Sequence, residues 1–228
     1  DHGRLVALVK RYFSQMPVGV RTERDLEPER DRRFTGFVQK DTEQAHVLLG
    51  MPGLAIGDDM RFAQSLLDVL FGGTMSSRLF QEIRENNGLA YSVYAGNQFH
   101  QGTGFFAIYA GTRPDNLAKV IAIAKKELDE IVSKGATDEE LQRARSYCIG
   151  QTLLATESTR EHMTRLGKNS VTDADTLSFE EAAARYNAVM LEDVNAMARR
   201  IYAQRPTVAV ISPLSVEEDE RIVAEALS

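Results

Sequence analysis

Several things are scarce in this chain of 228 residues, and each absence removes a class of function. There is one cysteine, Cys148. It can form no internal disulfide, and its place in an apolar helical stretch reads as a buried structural thiol, which fits a reducing compartment. No apolar run approaches the roughly 18 residues that a membrane helix needs, so no membrane span is expected. Positive charge is in deficit, with 27 Lys and Arg against 33 Asp and Glu. The formal charge of −6 argues against a nucleic-acid surface and favours cationic or neutral partners. G-x-S-x-G, P-loop and dinucleotide fingerprints are all missing, and Cys148 has no local activating partner. Internal repeats and low-complexity segments are missing too. The chain opens at Asp1 inside a helical pattern, with neither an initiator Met nor a signal-peptide pattern, and is expected to be a fragment of a longer protein.

What is present reads as one α+β domain with a substantial core. Leu5, Leu8, Val9, Tyr12, Phe13 and Met16 recur at helical spacing and predict an amphipathic helix over 1–16. Residues 17–33, with two prolines and an alternating acid/base run, read as an exposed linker. Residues 34–40 and 44–53 are strand candidates joined by Asp41-Thr42-Glu43, and a hairpin is expected. From Asp58 to Phe71, Phe62, Leu66, Leu67 and Leu70 form a helical stripe with acidic residues at its start. Residues 90–99 and 103–112 predict a second hairpin. The apolar residues of 103–112 fall on both faces, so a central strand covered on both sides is expected. Pro114 and Gly135 bracket a long helix, and Thr137 to Glu140 is a capping box opening another that runs through Cys148 towards Thr156. Ser178 to Glu181 is a second box. A helix over LEDVNAMARRIY, a returning strand at 207–213 and a final charged helix close the pattern. Paired strands, then helices, then one returning strand indicate an antiparallel-rich mixed sheet with helices packed on it.

The most informative stretch is 72–94, GGTMSSRLFQEIRENNGLAYSVY. Gly72 and Gly73 end the preceding helix, and Ser76 or Ser77 is expected to accept the free N–H groups of a new one. Leu79, Phe80 and Ile83 give that helix a narrow apolar stripe, and its remaining side chains are polar or charged. Asn86-Asn87-Gly88 breaks it, and a β-type run follows. SSRLFQEIRENNGLAYSVY resembles the signature of the C-terminal half-domain of pitrilysin-type zinc metallopeptidases, the family of insulin-degrading enzyme and mitochondrial processing peptidase. The serine pair, the Arg-Leu-Phe, the Arg-Glu and the Gly-x-x-Tyr all sit at family spacing, and the surrounding elements follow in the family's order.

The resemblance implies one half of a clam shell. Residues 1–16 would be the last helix of the preceding half-domain, 17–33 the linker, and 34–228 the C-terminal half. Zinc in that family sits on an H-x-x-E-H helix, whose two His hold the metal and whose Glu activates water. His2, His46, His100 and His162 all fail that spacing, and Glu161-His162 would need a His where Ser158 stands. The metal is therefore expected in the other half or a partner subunit, and none in this chain. Arg84 and Tyr91 match the family's Arg/Tyr pair, which reaches across to the active site. There the Tyr hydroxyl meets the substrate carbonyl that becomes an oxyanion, and the Arg grips a neighbouring backbone carbonyl. As residues alone, the same two read as a helix-end cation and a half-buried strand residue; Tyr94 and Phe99 read as packing, and His100 as a hairpin-loop residue. Phe71-Gly72-Gly73-Thr74 is short where the noncatalytic mitochondrial subunit has an extended glycine-rich loop. The implied function is the substrate-binding half of a processing-type endopeptidase, inactive alone. The alternatives are a noncatalytic partner and a structural scaffold subunit. An N-terminal zinc half or homologous subunit and an extended peptide are the implied partners, with dimerisation and a cytoplasmic location as extrapolations from the family.

Overall fold

The computed structural model describes residues 1–20, 35–172, 174–202 and 206–228. The expected linker therefore lies outside the described residues from position 21 onward. Five strands form one sheet: β1 (Thr35–Gln39), β2 (Ala45–Pro52), β3 (Ala90–Phe99), β4 (Gly104–Thr112) and β5 (Thr207–Ser212), in spatial order β1-β5-β2-β4-β3. Its helices are α1 (His2–Phe13), α2 (Arg61–Asp68), α3 (Leu117–Lys134), α4 (Asp138–Thr156), α5 (Thr159–Thr172), α6 (Phe179–Ala188), α7 (Leu191–Tyr202) and α8 (Val216–Ala226). Two π-helical segments, Val69–Gly73 and Phe80–Asn86, flank the Gly72–Ser77 turn.

The expected β1–β2 hairpin is not formed. β1 and β2 run antiparallel to each other, but β5 inserts between them, parallel to β1 and antiparallel to β2. The turn does its part: the Thr42 hydroxyl donates towards the Lys40 and Gln44 carbonyls. Lys40 N–H, however, goes to the Ser212 carbonyl at 2.8 Å. A short polar turn fixes chain reversal, whereas neighbourhood is decided by a strand more than 150 residues later. The β3–β4 hairpin forms as expected, with His100 in its connection.

Burial alternates along β2 and most of β4. Val47, Leu49 and Met51, with Phe106, Ile108 and Ala110, face the helices beside Val93, Ala95, Val208 and Val210. α2, α3 and α7 supply the opposing layer through Leu66, Leu67, Val120, Ile121, Ile131, Met197 and Ile201. Each such side chain contributes about 1.5–3 kcal/mol by leaving water. The other face of the sheet carries Val38, Leu48, Tyr94, Phe105 and Ile211, all exposed. β4 is thus interior to the sheet, but the expectation of cover on both faces is corrected: helices pack on one face only among the described residues. α1 forms where its apolar period predicts, and Asp1 accepts the Arg4 N–H at its start. None of its residues is buried.

Both capping boxes are present at α4 and α6, and Gly135 ends α3 with φ +80. α5 has no counterpart in the sequence reading; its apolar residues are too sparse to mark a face, and none is buried.

The π segment Val69–Gly73 brings Gly72 flat against β3. A methyl group on Gly72 would collide with the Ala95 backbone nitrogen and lie 2.9 Å from its Cα. Since neither side can give way, Gly72→Ala is expected to destabilise the chain by about 3 kcal/mol, read as a lowered denaturation midpoint in guanidinium. An unchanged midpoint would mean that the helix–strand contact is softer than its geometry.

Candidate functional site

The stretch 72–94 is held by its first helical residues. The Arg78 guanidinium meets Glu140 in a two-pronged pair, Nε to Oε1 at 2.6 Å and Nη2 to Oε2 at 2.8 Å, and also donates to the Gly135 carbonyl at 3.0 Å. Glu140 closes the α4 capping box through Thr137 at the same time. Burial works against the charged carboxyl, but Arg78 and the Thr137 N–H together hold it below the usual glutamate range. Leu79 and Ile83 are fully buried one turn on. The expected serine caps are not made. The Ser77 hydroxyl donates to the Thr74 carbonyl at 2.6 Å, and it is the Ser77 carbonyl that accepts, from Gln81 N–H. The tight turn folds the hydroxyl back onto its own loop, away from the helix N–H groups.

The Phe80–Asn86 helix ends at Asn87 and Gly88, whose φ of +60 turns the chain. β3 then starts with an irregularity: Ala90 pairs with Thr112 and Ser92 with Gly111, leaving Tyr91 as the extra residue. Such a bulge re-aims a side chain. Tyr91 is 75% exposed. Arg84 Nη1 donates to the Tyr91 carbonyl at 3.0 Å. Its guanidinium carbon lies 4.5 Å from the Tyr91 ring centroid and 4.7 Å from that of Phe80. The two residues that matched the family pair are therefore in direct contact, and Phe80, read from sequence only as a stripe residue, completes the stack. Arg84 spends one of its five N–H donors on Tyr91, and its Nε also faces Glu85 at 3.7 Å. Among the described residues, the Tyr91 hydroxyl has no hydrogen-bond partner and the other Arg84 guanidinium N–H groups make no further hydrogen bond.

A second polar group, half-buried, has an environment that was not visible in the sequence. Asp68, the last residue of α2, accepts from Asn97 of β3 at 3.1 Å through Oδ2, while Oδ1 has no partner among the described residues. Burial raises this carboxyl to about 7, the Asn97 bond opposing. Nearby, burial and the Asp68 charge push the Cys148 thiol up to about 12, which leaves it unsuited to nucleophilic work and agrees with a structural thiol. Tyr186 is likewise raised to about 12, mainly by burial.

No group of three or more His, Cys, Asp or Glu side chains is placed to hold a metal among the described residues. The four histidines fall on α1, β2, the β3–β4 connection and α5. His46 is engaged with the Tyr109 hydroxyl at 2.8 Å. Among the described residues, none of these histidines stands in a set that would fit zinc. No described helix is long and apolar enough to cross a membrane.

Residues 1–148 match the family model described as the peptidase M16 inactive domain. The chain is 39% identical to a zinc protease of Streptomyces coelicolor over 97% of its own length and 50% of that protein's. It is 37% identical to a zinc protease of Bacillus subtilis over 77% and 43%. Among solved structures, a peptidase M16 inactive domain from Pseudomonas fluorescens superposes with a TM-score of 0.83 at 21% identity, over 94% of this chain and 52% of that one. A protease from Helicobacter pylori gives 0.80 at 20%, over 93% and 53%. The chain belongs to the M16 family of zinc peptidases, as an inactive-domain member. It spans about half the length of the relatives it matches.

Asp68 sets a pH dependence with a definite sign. Its folded pKa of about 7 lies above the ordinary value of 3.8, so the folded state binds the proton more tightly. The stability it contributes is complete below about pH 4 and is lost as pH rises through 7, by roughly 4 kcal/mol at most. Asp68→Asn is expected to raise the melting temperature at about pH 8 and to leave it nearly unchanged at about pH 4. Equal shifts at both values would mean that the carboxyl stays ionised throughout.

Proposed function

We propose that this chain is the substrate-binding half of a zinc-dependent endopeptidase of the processing type, contributing Arg84 and Tyr91 to a site completed by a zinc-bearing half. The observation that carries this reading is the stacked pair itself: a cation on the Phe80–Asn86 helix laid against a tyrosine at the β3 bulge, with the tyrosine hydroxyl turned towards solvent. Three features support the need for a second half. The relatives are about twice as long, the sheet has one uncovered apolar face, and α1 presents an apolar stripe with no buried residue. In this division α1 belongs with the preceding half, residues 17–33 are the connection, and the remainder is the C-terminal half.

The chemistry follows from what these side chains offer. An extended peptide presents backbone carbonyls at regular intervals. The Arg84 fork holds one of them, and the Tyr91 hydroxyl donates to the carbonyl that gains negative charge as water adds. Donors already aimed at the developing charge lower the barrier because they need no reorganisation. Contact with the Phe80 and Tyr91 rings holds the planar guanidinium in place, so little side-chain freedom is lost when a ligand arrives. The metal and the activated water belong to the other half, and this chain alone is inactive.

The test uses the full-length protein containing this chain, a quenched fluorescent peptide and a chelator control. Tyr91→Phe keeps the backbone carbonyl that Arg84 bonds and the ring on which it stacks, so only the hydroxyl is lost. It should lower kcat by about 10²–10³ with little change in stability. No cleavage by the full-length protein, with activity appearing on mixing with a zinc-bearing homologue, would make this a noncatalytic partner. No activity in any combination would favour a scaffold subunit and overturn the proposal.

A further inference from the structure

Two polar atoms of α2 are shut away from solvent and have no hydrogen-bond partner among the described residues: Gln64 Nε2 and Asp68 Oδ1. Buried polar groups are almost always paired, so two orphans one turn apart on the same helix call for a common cause. We infer that a single internal water molecule bridges Gln64 Nε2 and Asp68 Oδ1, fastening α2 to the sheet where β3 and β4 form their hairpin. This water site stands whether or not peptide reaches Arg84 and Tyr91.

The placement of the two side chains brings the orphans together. Residues four apart on a helix lie one above the other, with Cβ atoms about 5–6 Å apart. Gln64 is fully buried, and its Oε1 accepts the Leu54 N–H at 3.0 Å. Its amide nitrogen lies against Gly53, where an added methyl group would stand 2.6 Å from Nε2 and 2.9 Å from the Phe105 carbonyl carbon. The amide end fits here because position 53 carries no side chain. Asp68 Oδ2 accepts from Asn97 at 3.1 Å. Phe105 pairs with Gln98, the residue after Asn97, so the surroundings of the two side chains are neighbours in the sheet. One water making two bonds of about 2.8 Å spans polar groups roughly 5 Å apart.

Chemistry selects the occupant. The Leu54 bond fixes which end of the Gln64 amide is free, and that end is the NH2, which only donates. A metal or ammonium cation offers it no acceptor. An anion would accept from it but would face the Asp68 carboxyl across the same space, at a cost in repulsion. Water accepts from the amide and donates to an ionised Oδ1 with one molecule. It serves the protonated carboxyl equally, because its two lone pairs accept from both groups. Internal waters occupy polar spaces of this kind, where two to four groups converge.

The experiment is a high-resolution crystal structure of the full-length protein, joined to oxygen-17 relaxation dispersion of the solvent, which counts long-lived internal waters. In the parent, one ordered water should lie within about 3 Å of both Gln64 Nε2 and Asp68 Oδ1. Gln64→Met has a similar unbranched shape and no donor, and it should hold one long-lived water fewer than the parent. Thermal melts establish that the variant is folded; if it is not, the parent structure decides alone. A direct contact between the amide and the carboxyl, two separate waters each serving one group, or no ordered water between them would overturn the bridge. Equal water counts in the parent and folded Gln64→Met would overturn it as well.

Discussion

Glu140 serves two structural ends at once, and the geometry of the site depends on it. Its carboxylate closes the capping box that opens α4, and the same two oxygens receive both arms of Arg78. A cap alone is worth about 1 kcal/mol. A largely buried, two-pronged ion pair costs about 3–5 kcal/mol when one partner is removed, because the other is left charged and dry. The ion pair therefore dominates. Through it, the end of α3 at Gly135, the start of α4 and the start of the Phe80–Asn86 helix are joined at one point. Arg84 sits six residues beyond that anchor, and the buried Leu79 and Ile83 between them transmit its position.

From this anchor the rest of the site is a matter of backbone irregularity. The π turns, the positive φ at Gly88 and the extra residue at Tyr91 accompany the face-to-face placement of a helix side chain and a strand side chain. Irregular segments of this kind are less favourable than their regular equivalents and persist because neighbours hold them. Here the neighbours are Gly72 against Ala95, the Thr112 hydroxyl on the Leu89 carbonyl at 2.5 Å, and Asn87 on the Glu82 carbonyl at 2.7 Å.

Two further features point away from a self-sufficient domain. A half-buried sheet with Leu48, Tyr94, Phe105 and Ile211 on its open side leaves an apolar surface that water does not favour. The half-buried Asp68 weakens the fold above neutral pH while tying α2 to β3 through Asn97. Both are tolerable where the fold gains stability from contacts that a longer chain supplies.

The sequence by itself determined the local elements and the family. Period-3.6 stripes, Pro114, Gly135 and the two capping boxes mark helices because they act within a few residues, and so α3, α4 and α6 lie where they were expected. The Arg84 and Tyr91 match was legible because seven residues of spacing survive in the one-dimensional pattern. Tertiary structure alone decided what depends on distant partners. β5 separates β1 from β2, since backbone pairing is indifferent to sequence distance once the apolar faces agree. Ser77 bonds its own loop, Phe80 becomes the second ring under Arg84, and Asp68 meets Asn97, because each contact is set by how elements pack. α5 escaped the reading because its few apolar residues, Met163, Leu166 and Val171 among polar and charged ones, are too sparse to mark a face.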